Sequence, residues 1–333
     1  MNRASLRKLF SHFPLLDELY NLSFIKNIYQ RFFLSNLTEP QYYIELSNVC
    51  NAECVFCSYP AIRKSGKKLS NINDEIFDRS IEFIKQHKRQ TVSLTPTTGE
   101  VFIDPQWQKH LQTILDLDFV EYVHFYTNAA LLNCQNRKKL FQLRGFEKVS
   151  MSFSTGGIDK ITYRLLFGKD LFHEVKSNIN AFLSELHHRG LKIHVSVDIK
   201  LPKDQICSIA DAKRTYNQCG YKYAFIKTRK AFDNLSGLIA HSSLDVMKPI
   251  SSRRHQRPCA YLNDIRFAAN GEVWLCGCVI SELPGNEDLK IGHLNDLQTS
   301  QEILERQKDI SGRWSHDRII PHNCQECTWY VAR

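Results

Sequence analysis

Eight of the eleven cysteines in this 333-residue chain fall into groups whose spacing suits metal chemistry. Cys50, Cys54 and Cys57 lie together in CNAECVFC, and Cys324 and Cys327 form a CQEC pair near the end. Cys259, Cys276 and Cys278 come between them, while Cys134, Cys207 and Cys219 stand alone and read as small core hydrophobes. Three thiolates in the pattern C-x3-C-x2-C can wrap one corner of a cubane iron–sulfur cluster, each holding one iron and leaving the fourth iron open. Clusters usually take four protein thiolates, so a three-ligand loop points to a substrate or cofactor that completes the coordination. Zinc is the competing reading, although no His or Cys at the customary spacing gives it a fourth ligand. The triplet alone leaves both metals open.

The elements around the triplet shift that balance. YYIEL (42–46) has the alternation and bulk of a strand, and SNV leads from it into the cysteines. NDEIFDRSIEFIKQH then carries Ile76, Phe77, Ile81, Phe83 and Ile84 at helical spacing, with Asn73 or Asp74 as N-cap. A second strand, TVSLTP, ends in TTGE. Strand, loop, helix, strand is the start of a parallel β/α array, with the cysteine loop at the carboxyl end of the first strand, where such folds carry their chemistry. Further strands are expected at 120–127, 148–154, 192–200 and 221–227, and helices at about 105–117, 135–144, 172–189 and 205–219. Gly190 fits a helix C-cap directly before a strand. Six strands are too few for an eight-fold barrel and enough for an open one, so the expected class is α/β, a partial (β/α)6 TIM-like barrel over residues 41–237.

Residues 1–40 carry apolar residues at three- to five-residue steps and read as amphipathic helices, broken near Pro14, that pack against the domain. Residues 238–257 are polar and irregular, with Arg253, Arg254, His255 and Arg257 clustered, and read as a linker. The remainder, 258–333, reads as a cysteine-rich module. In it DIRFAANGEVWLC sets Asn270-Gly271 between two alternating runs, a hairpin signal that brings Cys259 and Cys276 to one end, in reach of a shared metal. SQEILERQKDI is helical and returns the chain to Cys324 and Cys327. Four ligands from three separated positions make a closed site, structural or electron-carrying, and Cys278 can substitute for Cys276.

Composition adds exclusions. The net charge of +9, from 44 Lys and Arg against 35 Asp and Glu, comes without a basic stripe interleaved with aromatics, so nucleic acid is not an expected partner. No run approaches the length of a membrane span and no secretory signal opens the chain, so the expectation is a cytoplasmic protein without stable membrane insertion. In a reducing compartment an odd set of cysteines is no disulfide framework.

Together these residues resemble the radical S-adenosylmethionine (SAM) enzymes, and the tail resembles their SPASM/twitch subfamily; the likeness covers about residues 40–330. CNAECVFC matches the family's C-x3-C-x-aromatic-C loop, with Phe56 at the aromatic position that flanks the SAM adenine. Thr98-Gly99-Glu100 stands where the family has Gly-Gly-Glu, a motif that binds the SAM amino group. YTNAALL resembles the third-strand T-N-G segment, with Asn128 conforming and Ala129 replacing glycine. Ser154, on the fourth strand, is a candidate for polar contact with SAM, and Phe167-Gly168 stands where many relatives have arginine-glycine. Pro258-Cys259, Gly271-x4-Cys276, IGHLNDLQTSQEIL and Cys324-x2-Cys327 follow the subfamily's tail.

The resemblance implies a [4Fe-4S] cluster on Cys50, Cys54 and Cys57 and one auxiliary cluster, a [4Fe-4S] centre, on Cys259, Cys276, Cys324 and Cys327. It implies SAM as cofactor and a flavodoxin- or ferredoxin-like electron donor. The open iron chelates the amino and carboxylate groups of SAM, and an electron entering its sulfonium yields methionine and a 5′-deoxyadenosyl radical that abstracts hydrogen from an unreactive carbon. The auxiliary cluster can then accept the substrate's electron, giving a net oxidation of a small or carrier-linked substrate. About 40 residues precede the barrel, short of the recognition domain that peptide-modifying relatives carry. A peptide maturase or epimerase is the alternative within the superfamily, a molybdenum-cofactor cyclase a third, and a zinc-stapled scaffold the alternative outside it, in which Glu100 has no role. Asp198, Lys227 and Arg229 on the later strands are candidates for contacting substrate, with an ion pair on the barrel rim as the competing reading.

Overall fold

The computed structural model describes residues 40–94, 98–232, 246–249, 255, 257–280, 287–296, 300–325 and 327–328. The helices expected before residue 40 and the pair Arg253-Arg254 lie outside them.

Strand β1 (Tyr42–Ile44) leads through the cysteine loop to α1 (Tyr59–Lys64) and α2 (Asp74–His87), followed by β2 (Thr91–Ser93) and α3 (Trp107–Leu115). Then come β3 (Tyr122–Thr127), α4 (Cys134–Phe141), β4 (Val149–Gly156), α5 (Lys160–Phe167), α6 (Phe172–His188), β5 (Val195–Lys200), α7 (Ile209–Tyr216) and β6 (Ala224–Arg229). A two-residue pair, β7 (Ala231–Phe232) with β8 (Lys248–Pro249), follows. The tail holds β9 (Ile265–Phe267), β10 (Glu272–Leu275), β11 (Lys290–His293), α8 (Ser300–Gly312) and the short α9 (His322–Gln325).

Strands β1 to β6 are parallel neighbours in chain order, the open partial barrel expected from the sequence. Helix α2 forms for the reasons its sequence gives: the Asn73 side chain accepts a hydrogen bond from the Ile76 amide at 2.8 Å, and Ile76, Phe77, Ile81, Phe83 and Ile84 bury one stripe. Each such side chain contributes roughly 1.5–3 kcal/mol. Helices α1 and α5 had no counterpart in the sequence reading. Both are short, and glycine and proline beside them mask their periodicity.

Fully covered parallel strands normally read as continuous apolar runs. Here β3, β4 and β5 alternate. Phe125, Met151, Phe153, Val195, Val197 and Ile199 are buried on the face toward the helices, with Phe153 set edge-on to Phe182 of α6. The opposite face carries His124, Ser150, Ser152, Ser154, Ser196 and Asp198. Ser150 Oγ bonds both His124 Nδ1 (3.2 Å) and His194 Nδ1 (3.1 Å), and Ser152 Oγ bonds Ser196 Oγ at 2.5 Å. The barrel interior is therefore polar and hydrogen-bonded.

The tail hairpin forms as expected, with Gly271 at φ +89° in its turn, where a side chain is strained. It does more than the sequence indicated: β9 pairs in parallel with β1, so the sheet runs β11-β10-β9-β1-β2-β3-β4-β5-β6. Strand β11, absent from the sequence reading, completes that edge.

Candidate active site

The cysteine loop leaves β1 and is held from below by α5. The amides of Glu53 and Val55 donate to the carbonyls of Phe167 and Leu166, both at 3.0 Å, using acceptors that the last turn of a helix leaves unpaired. Phe56 packs edge-on against Phe167, ring centroids 5.3 Å apart. Gly168 follows at φ +70°, and a Cβ there would lie 2.7 Å from the Glu53 carbonyl oxygen. The Phe167-Gly168 step, where relatives have arginine-glycine, is thus the anchor of the loop.

None of the eleven cysteines forms a disulfide. Cys50 Sγ accepts from the Ala52 amide (3.5 Å) and Asn128 Nδ2 (3.8 Å), and Cys57 Sγ from the Tyr59 amide (3.4 Å). Such N–H···S contacts tune the sulfur ligands of clusters. Burial pushes the Cys50 thiol up to about 12, with the Glu100 charge next and Cys57 adding to it. The Cys54 thiol is likewise raised, by burial and then by Cys57 and Cys50. The three thiols therefore stand within electrostatic reach of one another. Among the described residues no three His, Cys, Asp or Glu side chains are gathered closely enough to clasp a single ion. Three cysteine thiolates are nonetheless the donor type that a cubane cluster takes, one iron to each.

Glu100 is the hub beside the loop. It is 1% exposed, and its Oε1 accepts from Thr127 Oγ1 (2.8 Å) and the Phe102 amide (3.4 Å), its Oε2 from the Asn128 amide (2.9 Å). Burial raises its carboxyl to about 7 against these three hydrogen bonds. Both carboxylate oxygens are used within the protein, so Glu100 braces the end of β3 against the end of β2. The Asn128 amide group in turn bonds Asn51 Oδ1 at 2.7 Å. Gly99 sits at φ +105°, where a Cβ would lie 2.0 Å from the Ser47 carbonyl oxygen, and Thr98 Oγ1 is buried with no hydrogen-bond partner among the described residues. That buried hydroxyl, two residues before Glu100, is a donor available to a bound group.

At the carboxyl ends of β5 and β6 the structure joins Asp198, Lys227 and Arg229 into one ion cluster and adds Lys200. Asp198 Oδ2 lies 2.9 Å from Arg229 Nε and 3.4 Å from Lys227 Nζ, and Oδ1 lies 3.1 Å from Lys200 Nζ. Burial works to raise the Asp198 carboxyl, but Arg229, Lys200 and Lys227 overrule it and hold it well below the usual carboxylate range. Lys200 also lies 5.9 Å from the centre of the Phe56 ring. The sequence contained the signal for Lys200, two residues beyond Asp198 on the same strand and therefore on the same face. Ser154 pairs in register with Asp198 at the same level.

In the tail, Cys259 and Cys324 are buried and Cys276, Cys278 and Cys327 half-buried. Burial raises the Cys324 thiol, and the charges of Cys276, Cys327 and Cys259 raise it further, so these three thiols lie within electrostatic reach of Cys324. Cys276 sits at φ +70°, and the Cys278 amide donates to its sulfur at 3.4 Å. His255 is buried, its Nε2 3.0 Å from the Cys327 carbonyl oxygen, and so belongs to this packing rather than to a solvated linker. Of the lone cysteines, Cys207 and Cys219 pack partly against the core, whereas Cys134 is exposed at the first turn of α4, contrary to the core assignment: Asn133 caps that turn and turns it outward.

Residues 44–204 match the Radical SAM superfamily. An uncharacterised protein of Methanocaldococcus jannaschii is 29% identical over 154 residues, 45% of this chain and 47% of that protein. The chain thus matches about half the length of that curated relative. Among solved structures, anSMEcpe with bound AdoMet superposes with a TM-score of 0.53 at 13% identity, over 82% of this chain and 80% of that one. BtrN in complex with AdoMet and 2-DOIA gives 0.51 at 12% identity, over 86% and 92%. At these identities the likeness is one of fold.

Proposed function

Because residues 44–204 make this chain a member of the radical SAM superfamily, we propose that it reductively cleaves SAM at a [4Fe-4S] cluster held by Cys50, Cys54 and Cys57 and abstracts hydrogen from a polar small or carrier-linked substrate in the barrel lumen. The observation that carries this reading is three thiols within electrostatic reach of one another on the loop after β1, with the Glu100 carboxylate beside Cys50. When bound, the cluster and SAM supply one-electron cleavage and a hydrogen-abstracting radical. The chain's residues do the rest: Phe56 offers an aromatic edge to the adenine, Thr98, Gly99 and Asn128 line the approach to the open iron, and Ser154 faces the lumen. Phe167 and Gly168 hold the cysteine loop against α5.

We assign Cys259, Cys276, Cys324 and Cys327 to an auxiliary cluster that accepts an electron from the substrate, making the net reaction an oxidation. A flavodoxin- or ferredoxin-like donor supplies the first electron. The test is anaerobic reconstitution with iron, sulfide, SAM and dithionite. The expected result is about eight irons per chain and formation of 5′-deoxyadenosine. The C50A/C54A/C57A variant is expected to keep about four irons and form no 5′-deoxyadenosine. Colourless protein with stoichiometric zinc, or undiminished 5′-deoxyadenosine from the variant, overturns the proposal.

A further inference from the structure

Helix α5 buries Tyr163, Leu166 and Phe167 and turns Ile161, Arg164 and Leu165, three and four residues apart, to the outside. Ile161 is 81% and Leu165 48% exposed. Gln205 bonds the side chain of Asp159, the cap of α5, and so brings Ile206, 90% exposed, to the same helix end. These are three of the four large apolar side chains exposed among the described residues. Gathered apolar exposure of this kind marks a surface that binds something.

Charge narrows the partner. Glu53, inside the cysteine loop, lies 2.7 Å from Arg63 of α1 and 4.0 Å from Lys169 just past α5, so basic segments flank the loop on both sides. Residues 59–69 carry Arg63, Lys64, Lys67 and Lys68 and no acid. On α5 the acids are engaged: Asp170 pairs with Lys160 at 2.8 Å, and Asp159 caps the helix. Lys64, Lys67, Lys68 and Arg164 are exposed and form no ion pair among the described residues. Aliphatic side chains rimmed by uncompensated cations suit an acidic protein surface. The last-turn carbonyls of α5 hold the Glu53 and Val55 amides, so this face lies directly outside the loop. A protein is too large to reach the loop through the barrel lumen, and this face admits it from the other side.

We propose that the outer face of α5, with Lys64, Lys67 and Lys68, is the docking surface for an acidic one-electron donor protein of the flavodoxin class. The donor is oxidised by one electron and the cluster on Cys50, Cys54 and Cys57 reduced by one, with no bond made or broken at the interface. This rests on the reading of the cysteine loop as a cluster site.

The test compares two reductants on the full chain carrying its clusters: dithionite, which needs no docking surface, and flavodoxin hydroquinone freed of its own reductant. The ratio of their rates of 5′-deoxyadenosine formation is read, so that a loss of fold or cluster cancels. The parent ratio is expected to fall with rising salt. Lys64→Glu/Lys67→Glu/Lys68→Glu is expected to lower it about tenfold or more, and Ile161→Ser/Leu165→Ser to raise the flavodoxin concentration for half-maximal rate about tenfold. Lys85→Glu/Lys192→Glu/Lys308→Glu, equal in charge but on α2, before β5 and on α8, is expected to keep the parent ratio. Indifference to salt or to either face variant, an equal loss in the third variant, or no product with flavodoxin where dithionite yields it overturns the proposal. So does binding to phosphatidylglycerol vesicles that the lysine variant loses while its ratio holds, which gives the face to a membrane. A parent chain that forms no 5′-deoxyadenosine with dithionite loses the SAM reading. Docking is then read by calorimetric titration with oxidised flavodoxin, where saturable binding weakened by the lysine variant supports it and no saturable binding overturns it.

Discussion

Ala129 holds a backbone conformation that its own side chain opposes. At φ +63° it is in the left-handed region, and Asn178 Nδ2 fixes it there by donating to the carbonyls of Ala129 (3.0 Å) and Ala130 (3.1 Å). The sequence showed the departure from T-N-G, and the structure supplies its consequence: the turn is kept and the strain is borne. An L-residue here costs roughly 1–2 kcal/mol that glycine avoids, less glycine's greater entropy in the unfolded chain. Ala129→Gly is therefore expected to raise stability by about 0.5–1 kcal/mol, read as a higher urea midpoint with unchanged slope. Glu100 makes a different prediction. Burial lifts its carboxyl to about 7, above its ordinary 4.5, so between those values the folded chain keeps a proton that the unfolded chain has lost. Stability must then fall as pH rises through that window and level off above it, by a total of order 3 kcal/mol. Urea midpoints at pH 5 and pH 8 check this: wild type is expected to lose more between them than Glu100→Gln, which cannot ionise.

At the scale of elements, the β/α alternation was legible because each strand is short, each helix carries one apolar stripe, and turn residues separate them. Asn73 and Gly190 marked the ends of α2 and α6 for the physical reasons that make caps and left-handed turns. The cysteine spacing was legible for the same reason that any local motif is. What was not legible depends on contacts between distant segments. Phe167 reads as an ordinary apolar helix residue, yet its carbonyl and ring hold the cysteine loop, more than 100 residues earlier in the chain. Lys200 reads as a strand-end lysine until β6 brings Arg229 beside it. The coupling of α5 to the loop is open to test. In Gly168→Ala the new Cβ meets the Glu53 carbonyl at 2.7 Å and must also adopt φ +70°. The expected outcome is a loss of roughly 1–3 kcal/mol and faster bleaching of the cluster absorbance by a chelator, while a variant that bleaches at the wild-type rate would show the anchor to be dispensable.

On the scale of the whole molecule, the tail shares the barrel's sheet through β9 and β1, and a fully buried ion pair crosses that seam. Arg266 Nη2 lies 2.8 Å from Glu45 Oε1, Glu45 Oε2 accepts the Ala269 amide at 3.0 Å, and Arg266 also donates to the Val279 carbonyl. Glu45 lies five residues before Cys50, and Arg266 lies on the hairpin that carries Cys276. One carboxylate thus ties both cysteine groups to a common frame. Removing its charge leaves a buried guanidinium without its carboxylate, a change that typically costs about 3–5 kcal/mol. Glu45→Gln is accordingly expected to lower the free energy of unfolding by that amount, read as a lower urea midpoint. Because the seam is continuous hydrogen-bonded sheet, calorimetry of the parent chain is expected to show one cooperative transition over the barrel and tail. Two separated transitions would instead make the tail an independent folding unit that merely abuts β1.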